Sequence, residues 1–450
     1  MAITSVLPRS VASVATTALL AGLLTGLATP TVAATAAHRA GGADRQSDQA
    51  TVRVSRTFFG LHDGSGQAYR HLNYGALRLW DAGVTWRNLE TSAGHFNWTR
   101  LDSLVSAAQA HHVEVTLVLG MTPSFYADAQ TEAPRNLGVF TRYVTAVMNR
   151  YKMFNGQRGI AAYQVWNEAN ISNFWTGTSA QMATMTSLVD QVRNTVDPRA
   201  TVVAPSFAVR MKYQRVRMRA YQRQLVDGLH VWDHYDVNAL SLYPKPTYGH
   251  RTGGPEDAMR LLGRVRGQLN ALGVPATKKI WATEVNYGVT GGGVADSTAT
   301  PISKHRQVAN VLRTYLLGAA HGLTRVFWYR YDWGLIDGGT LGNTLLSDPS
   351  NFARVRAAGM AIRTAERWLG GRLVGRHGNR PCARDRRGTY RCVVRHDGVV
   401  RRIYWNPHRD VRVQVPRHSR TQRAGRAVAR HAGRHTVRVG FQPMMVRTRR

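Results

Sequence analysis

From about Arg53 onward, short apolar runs alternate with longer amphipathic stretches. The runs are Thr57–Leu61, Ala76–Trp80, Val113–Leu119, Ile160–Trp166, Thr201–Pro205, Val237–Tyr243, Lys279–Thr283 and Arg325–Tyr331, eight in all. Near-continuous apolar runs of this length predict strands buried on both faces, which is the mark of a parallel sheet. Between them, Trp98–His111, Leu137–Tyr151, Ala180–Val196, Gly254–Leu272 and Ser303–His321 read as helices. Eight strands alternating with helices predict an α/β fold, a (β/α)8 TIM barrel over residues 53–370, with Asn351–Leu369 as its closing helix. No glycine-rich phosphate loop follows the first strand, which argues against a dinucleotide-binding open sheet.

The pattern changes after residue 370. Residues 371–450 hold 22 Arg and 3 Asp, with neither Lys nor Glu. Alternating runs at Tyr390–Val394, Val399–Trp405, Val411–Val415 and Thr436–Val439 predict a small C-terminal antiparallel β-domain, sandwich-like and packed on the barrel. Its Cys382 and Cys392 are the only cysteines, with nine residues between them. That spacing suits a hairpin-closing disulfide in an oxidising compartment, and two cysteines alone do not make a zinc site. The other end agrees. Arg9 followed by the uncharged, Ala/Leu/Thr-rich Val11–Ala28 and small-residue cleavage candidates at 32–36 reads as a signal peptide over residues 1–36, the alternative being a retained membrane anchor, for which the segment is short and only mildly apolar. Residues 37–52 read as a polar lead-in. The expected location is secreted or cell-surface.

Charge narrows the partners. The net charge is +34 and Arg outnumbers Lys 54 to 6. Part of this excess is what GC-rich codon usage gives; the rest favours anionic surroundings such as an acidic or cell-wall polysaccharide or a membrane surface. The basic residues do not alternate with exposed aromatics in a recognisable module, which disfavours nucleic acid as a partner. No metal or cofactor is called for.

Polar residues crowd the predicted strand exits, the face on which barrels carry their chemistry: His62, Asp63, Asp81, Thr122, Asn167, Glu168, Ser206, Glu284 and Asp332. The chain has only seven Glu, at 90, 114, 132, 168, 256, 284 and 366. Glu168 and Glu284 alone sit at exits, those of the fourth and seventh strands. A buried strand-end carboxylate is unfavourable unless it is used, although a solvated Glu there would need no function. Two carboxyls at one barrel mouth suit glycoside cleavage, in which one gives a proton to the leaving oxygen and the other attacks the anomeric carbon.

The stretch VWNEAN at 165–170 resembles the acid/base motif of the glycoside hydrolases of clan A, and WATEVNYG at 281–288 resembles their nucleophile motif. The similarity is nearest to family 39 and related bacterial barrel proteins, also through GALRLWDAGVTWRNLE at 75–90 and NFWTGT at 173–178. It covers about residues 55–370 and extends to the β-domain. The resemblance implies that Glu168 is the general acid/base, Glu284 the nucleophile, and Asn167 the partner of a sugar hydroxyl. It implies that Arg78 orients Glu284, the alternative being a purely structural ion pair, and that Tyr243 lies near the nucleophile. Trp328 is read as an aromatic platform under the sugar or as core. His62, Asp63 and Asp81 are read as sugar contacts, and Trp86 and Trp175 as cleft rim or core. Two departures stand out: Ala169 replaces the usual Pro, and Ser241 replaces a common His.

The expectation is a secreted retaining glycoside hydrolase with carboxyl groups about 5–5.5 Å apart. A glycan-binding barrel without catalysis, and a basic surface or nucleic-acid-binding protein, are the alternatives.

Overall fold

A computed structural model of the protein describes residues 51–449 apart from 245–252, 288–301, 333–345, 349–350 and 376–380. The signal peptide and most of the lead-in lie outside the described residues. The eight apolar runs form eight strands: β1 Phe59–Leu61, β2 Ala76–Leu79, β3 Glu114–Val118, β4 Ile160–Gln164, β5 Thr201–Ala208, β6 Val237–Ser241, β7 Lys279–Val285 and β8 Arg325–Trp328. They pair in parallel in chain order, and β8 returns to β1 to close the barrel. Ala76, Ala162, Val203, Val237, Ala239, Trp281 and Phe327 fill its interior. The Phe327 ring needs Gly60 opposite it, because a Cβ there would lie 2.5 Å from a ring carbon.

Among the described residues, seven helices of eleven or more residues surround the strands: α1 Thr99–Ala110, α2 Leu137–Tyr151, α3 Ser179–Val196, α4 Lys212–Gln222, α5 Pro255–Asn270, α6 Lys304–Ala320 and α7 Ala357–Leu369. Local sequence starts several of them. Asn136 accepts from the Gly138 amide ahead of α2, Thr178 and Gln181 make a reciprocal cap on α3, and Ser303 caps α6. Between β1 and β2 there is only a short 3-10 turn at Ala68–Arg70.

Two elements differ from expectation. Helix α4 is not legible as an apolar stripe, since Lys and Arg occupy four of its eleven positions. The predicted closing helix starts only at Ala357. Its first part, Asn351–Val355, is a strand paired with Ser347–Asp348 and held by the Tyr331 hydroxyl, which donates to the Phe352 carbonyl at 2.7 Å.

The described C-terminal strands of three or more residues are β9 Arg372–Val374, β10 Tyr390–His396, β11 Val399–Trp405, β12 Val411–Val415, β13 Ser419–Arg423, β14 Ala429–His431, β15 His435–Val439 and β16 Met444–Arg449, and the short Ala383–Arg384 also pairs with β10. All pairings are antiparallel, in the order β9-β10-β11-β16-β13-β14, with β12 and β15 forming a separate ribbon. The sheet also takes in Thr51–Arg53, at the end of the expected polar lead-in, which pairs with β9. Cys382 and Cys392 are joined. The ribbon packs on the sheet through Val415, Val437, Val439, Met444 and Val446. Side chains tie this domain to the barrel: Trp405 donates to Glu256 of α5 at 2.9 Å, and Arg313 of α6 stacks on Phe441 at 4.3 Å.

Candidate active site

The seven glutamates separate by surroundings. Glu114 pairs with Arg325 at the opposite end of the barrel, and Glu256 pairs with Arg313. Glu90 is buried and accepts from Trp86, Tyr126 and Gly94. Glu132 accepts from the Ala129 amide in its own loop, and Glu366 lies on α7. Glu168 and Glu284 remain, at the mouth, only 7% and 6% exposed.

Two register shifts bring the site together. Between β6 and β7, Leu240 faces Ala282 but Ser241 faces Glu284, so one extra residue on β7 turns Glu284 rather than Thr283 inward. Between β5 and β6, Val203 faces Val237 but Ser206 faces Ala239. That extra residue carries Ser206 inward beside Asn167. Glu168 follows β4 with a left-handed φ of 40°, a conformation unfavourable for a residue with a Cβ. Its amide donates to the Ser206 hydroxyl at 2.8 Å, which in turn donates to Asn167 Oδ1 at 3.2 Å.

Arg78, from the interior face of β2, is the hub. Its Nε donates to Gln164 Oε1 at 2.8 Å, one terminal nitrogen to Glu284 Oε1 at 2.9 Å, and the other to Asn167 Oδ1 at 2.7 Å. The guanidinium is fully buried, so each bond acts with little screening. Tyr243, just beyond β6, donates to Glu284 Oε2 at 2.9 Å. Both oxygens of Glu284 are thus met by donors, as suits an anion.

Glu168 has the opposite surroundings. Burial pushes its carboxyl up to about 8, and the Glu284 charge adds to the rise, against smaller opposing effects of Ser241, Arg78 and Arg210. One carboxyl retains its proton near neutrality while its neighbour sits among donors.

His62, directly after β1, has Nε2 at 2.9 Å from the Thr283 carbonyl and Nδ1 at 3.8 Å from Asp81. Asp81 also accepts from the Tyr329 hydroxyl and from Arg330, both at 2.6 Å. Burial opposes ionisation most strongly, but Arg330, His62 and Tyr329 together outweigh it and hold Asp81 well below the usual carboxylate range. Asp63 is taken up by its own turn, accepting from Ser65 and from the Ala68 amide. Burial, followed by the Asp332 charge, pushes it up to about 6.

Trp328 is a correction. It is completely buried in the core outside the barrel interior, 6.0 Å from the Tyr287 ring, and offers no open face to a sugar. Alternation explains why: Phe327 points inward, Trp328 outward, and Tyr329 inward again at the mouth, 5.0 Å from the His62 ring. Trp86 and Trp175 are likewise core, stacked on Tyr143 at 4.9 Å and edge-on to Trp166 at 5.0 Å. Gln164, Tyr329 and Arg330 went unnoticed in the sequence. A glutamine inside an apolar strand, two places from the inward Ala162, was the signal available for Gln164.

A closed parallel barrel with polar groups converging at its mouth, followed by an antiparallel domain, is a fold shared with glycoside hydrolases of known structure. Solved structures with this fold include a family 39 glycoside hydrolase from Bacteroides cellulosilyticus WH2, with TM-score 0.62 and 13% identity over 88% of this chain and 82% of that one. A glucosidase from Croceicoccus marinus gives TM-score 0.61 and 12% identity over 89% and 96% of the two chains. A monomeric beta-xylosidase from Caulobacter crescentus CB15 gives 0.60 and 16% over 88% and 97%. No family model matches the sequence. No curated protein matches it either.

Proposed function

We propose that the protein is a retaining glycoside hydrolase that acts outside the cell. The observation that carries this is the contrast between the two glutamates: a protonated, buried Glu168 beside a Glu284 fixed by Arg78 and Tyr243. In the first step Glu284 attacks the anomeric carbon while Glu168 gives its proton to the departing oxygen, leaving a glycosyl ester on Glu284. In the second, Glu168 takes a proton from water, which attacks the anomeric carbon, breaks its bond to the Glu284 carboxylate and releases the sugar with its configuration retained. The Asn167 carbonyl oxygen is committed to Arg78 and Ser206, which orients its amide NH2 toward a sugar hydroxyl. His62, Asp81 and Tyr329 form the opposite wall for further hydroxyls.

The export-like N-terminus, the disulfide and the excess of arginine support an extracellular site of action on an anionic or cell-wall polysaccharide. The fold neighbours, a glucosidase and a beta-xylosidase among them, support a carbohydrate substrate. The test is a screen of the purified protein on aryl glycosides and polysaccharides, with Glu168→Gln as control. Turnover lost in the control is expected. Saccharide binding with no turnover would favour the catalytically silent barrel instead.

A further inference from the structure

We propose that an arginine-rimmed groove in the β-domain is a second carbohydrate site, which binds sugar chains bearing carboxylates. A cavity of about 700 Å³ opens between the sheet and the β12 ribbon strand. Its floor is apolar, built from Val374, Val393, Val411 and Val413 with the Tyr404 ring. Its rim carries Arg384, Arg387, Arg391, Arg409 and Arg412. Among the described residues none of these five guanidiniums forms an ion pair. Two carboxylates share the lining, Asp410 paired with Arg438 at 2.7 Å and Asp385 accepting from the Thr389 amide at 2.8 Å, so the arginines remain in excess over them. Arg391 has a buried Nε without a partner, and its guanidinium lies 5.9 Å from the Tyr404 ring centre.

Five like charges around one concavity repel one another, and an anion in the groove removes that repulsion. A guanidinium fork matches a carboxylate in two parallel bonds. The apolar floor matches the C–H face of a sugar ring, and the volume falls in the range of ordinary ligand sites, about 300–1,000 Å³. A single ring, Tyr404, lines the cavity, whereas single-stranded nucleic acid is held by stacking successive bases on successive rings. The choice of a glycan among polyanions rests on the glycosidase reading of the barrel; the groove itself stands apart from it, on residues of the β-domain.

The test uses the full-length Glu284→Gln protein, so that the probe is not cleaved. Calorimetry compares an oligogalacturonate, the same chain fully methyl-esterified, and a single-stranded DNA of matched charge. The acid chain should bind, with the ester and the DNA at least tenfold weaker. Replacing Arg387, Arg391 and Arg412 together by Gln should weaken the acid chain at least tenfold. The corresponding Lys variant keeps charge but not the fork, and should lose affinity several-fold; it serves if the Gln variant is unstable. Equal binding of acid and ester, absence of binding by the acid chain, unchanged affinity in the Lys variant, or DNA bound as tightly with the same arginine dependence would each overturn the proposal. In wild-type background the triple variant should turn over small aryl glycosides as before, which separates failure of the groove from failure of the catalytic reading.

Discussion

At the scale of the residue, Arg78 decides how the carboxyls divide their roles. It spends its fork on Glu284, Asn167 and Gln164 at once, and no lysine can reach three such partners. Arg78→Lys should therefore lower kcat by about 100-fold, the order expected when a reacting group is misplaced by an ångström, while the protein remains folded by circular dichroism. Glu168 sets the pH dependence. With its carboxyl pushed up to about 8, kcat/KM should fall as pH rises through that value, where the general acid loses its proton. Glu284→Gln removes the second cause of the rise, so the Glu168 carboxyl, followed by infrared titration, should move down. The stability sign also follows. The fold holds this proton more tightly than the unfolded chain does, so its contribution is complete at low pH and is lost as pH rises through about 8. Glu168→Gln should flatten that part of the melting profile. Glu168 and Glu284 were singled out in the sequence by their positions at strand exits, while the roles of Asn167, Arg78 and Tyr243 entered only through the resemblance of the surrounding motifs. Trp328 stayed open between platform and core because a run of aromatics does not reveal which ring faces inward until the strand phase is known.

At the scale of the element, the barrel was legible because eight apolar runs can be buried on two faces in few other ways. The register shifts were not. Strict alternation from Trp281 would turn Thr283 inward, and only pairing with β6 shows that Glu284 takes that place. The shift in β5 gives Ser206 its position between the Glu168 amide and Asn167. Ser206→Ala leaves a buried amide unsatisfied next to a left-handed backbone. It should cost about 1–3 kcal/mol in urea unfolding and lower kcat as well. A full-strength variant would show that the Glu168 turn is held by other contacts. Helix α4 escaped notice for the reverse reason: its polar face outweighs the few apolar residues that anchor it.

At the scale of the whole molecule, the β-domain was legible from alternation and composition, but its attachment was not. Glu256 looked like an ordinary helix residue and is instead the joint between domains, paired with Arg313 and accepting from Trp405. Glu256→Ala would leave Arg313, with a side chain only 2% exposed, without its countercharge. Breaking a buried pair in this way typically destabilises by about 3–5 kcal/mol. The melting temperature should drop while turnover per folded molecule is retained. Loss of turnover with unchanged melting would mean that the joint acts on the site and not on the fold.

The central claim is that Glu284 becomes covalently glycosylated. Incubating the protein with a panel of activated fluorosugar inactivators, followed by peptide mass spectrometry, tests it directly. A single sugar attached to the peptide containing Glu284, absent from Glu284→Gln, is the predicted result; a sugar attached elsewhere, or turnover of the same glycosides without any trapped ester, would contradict it.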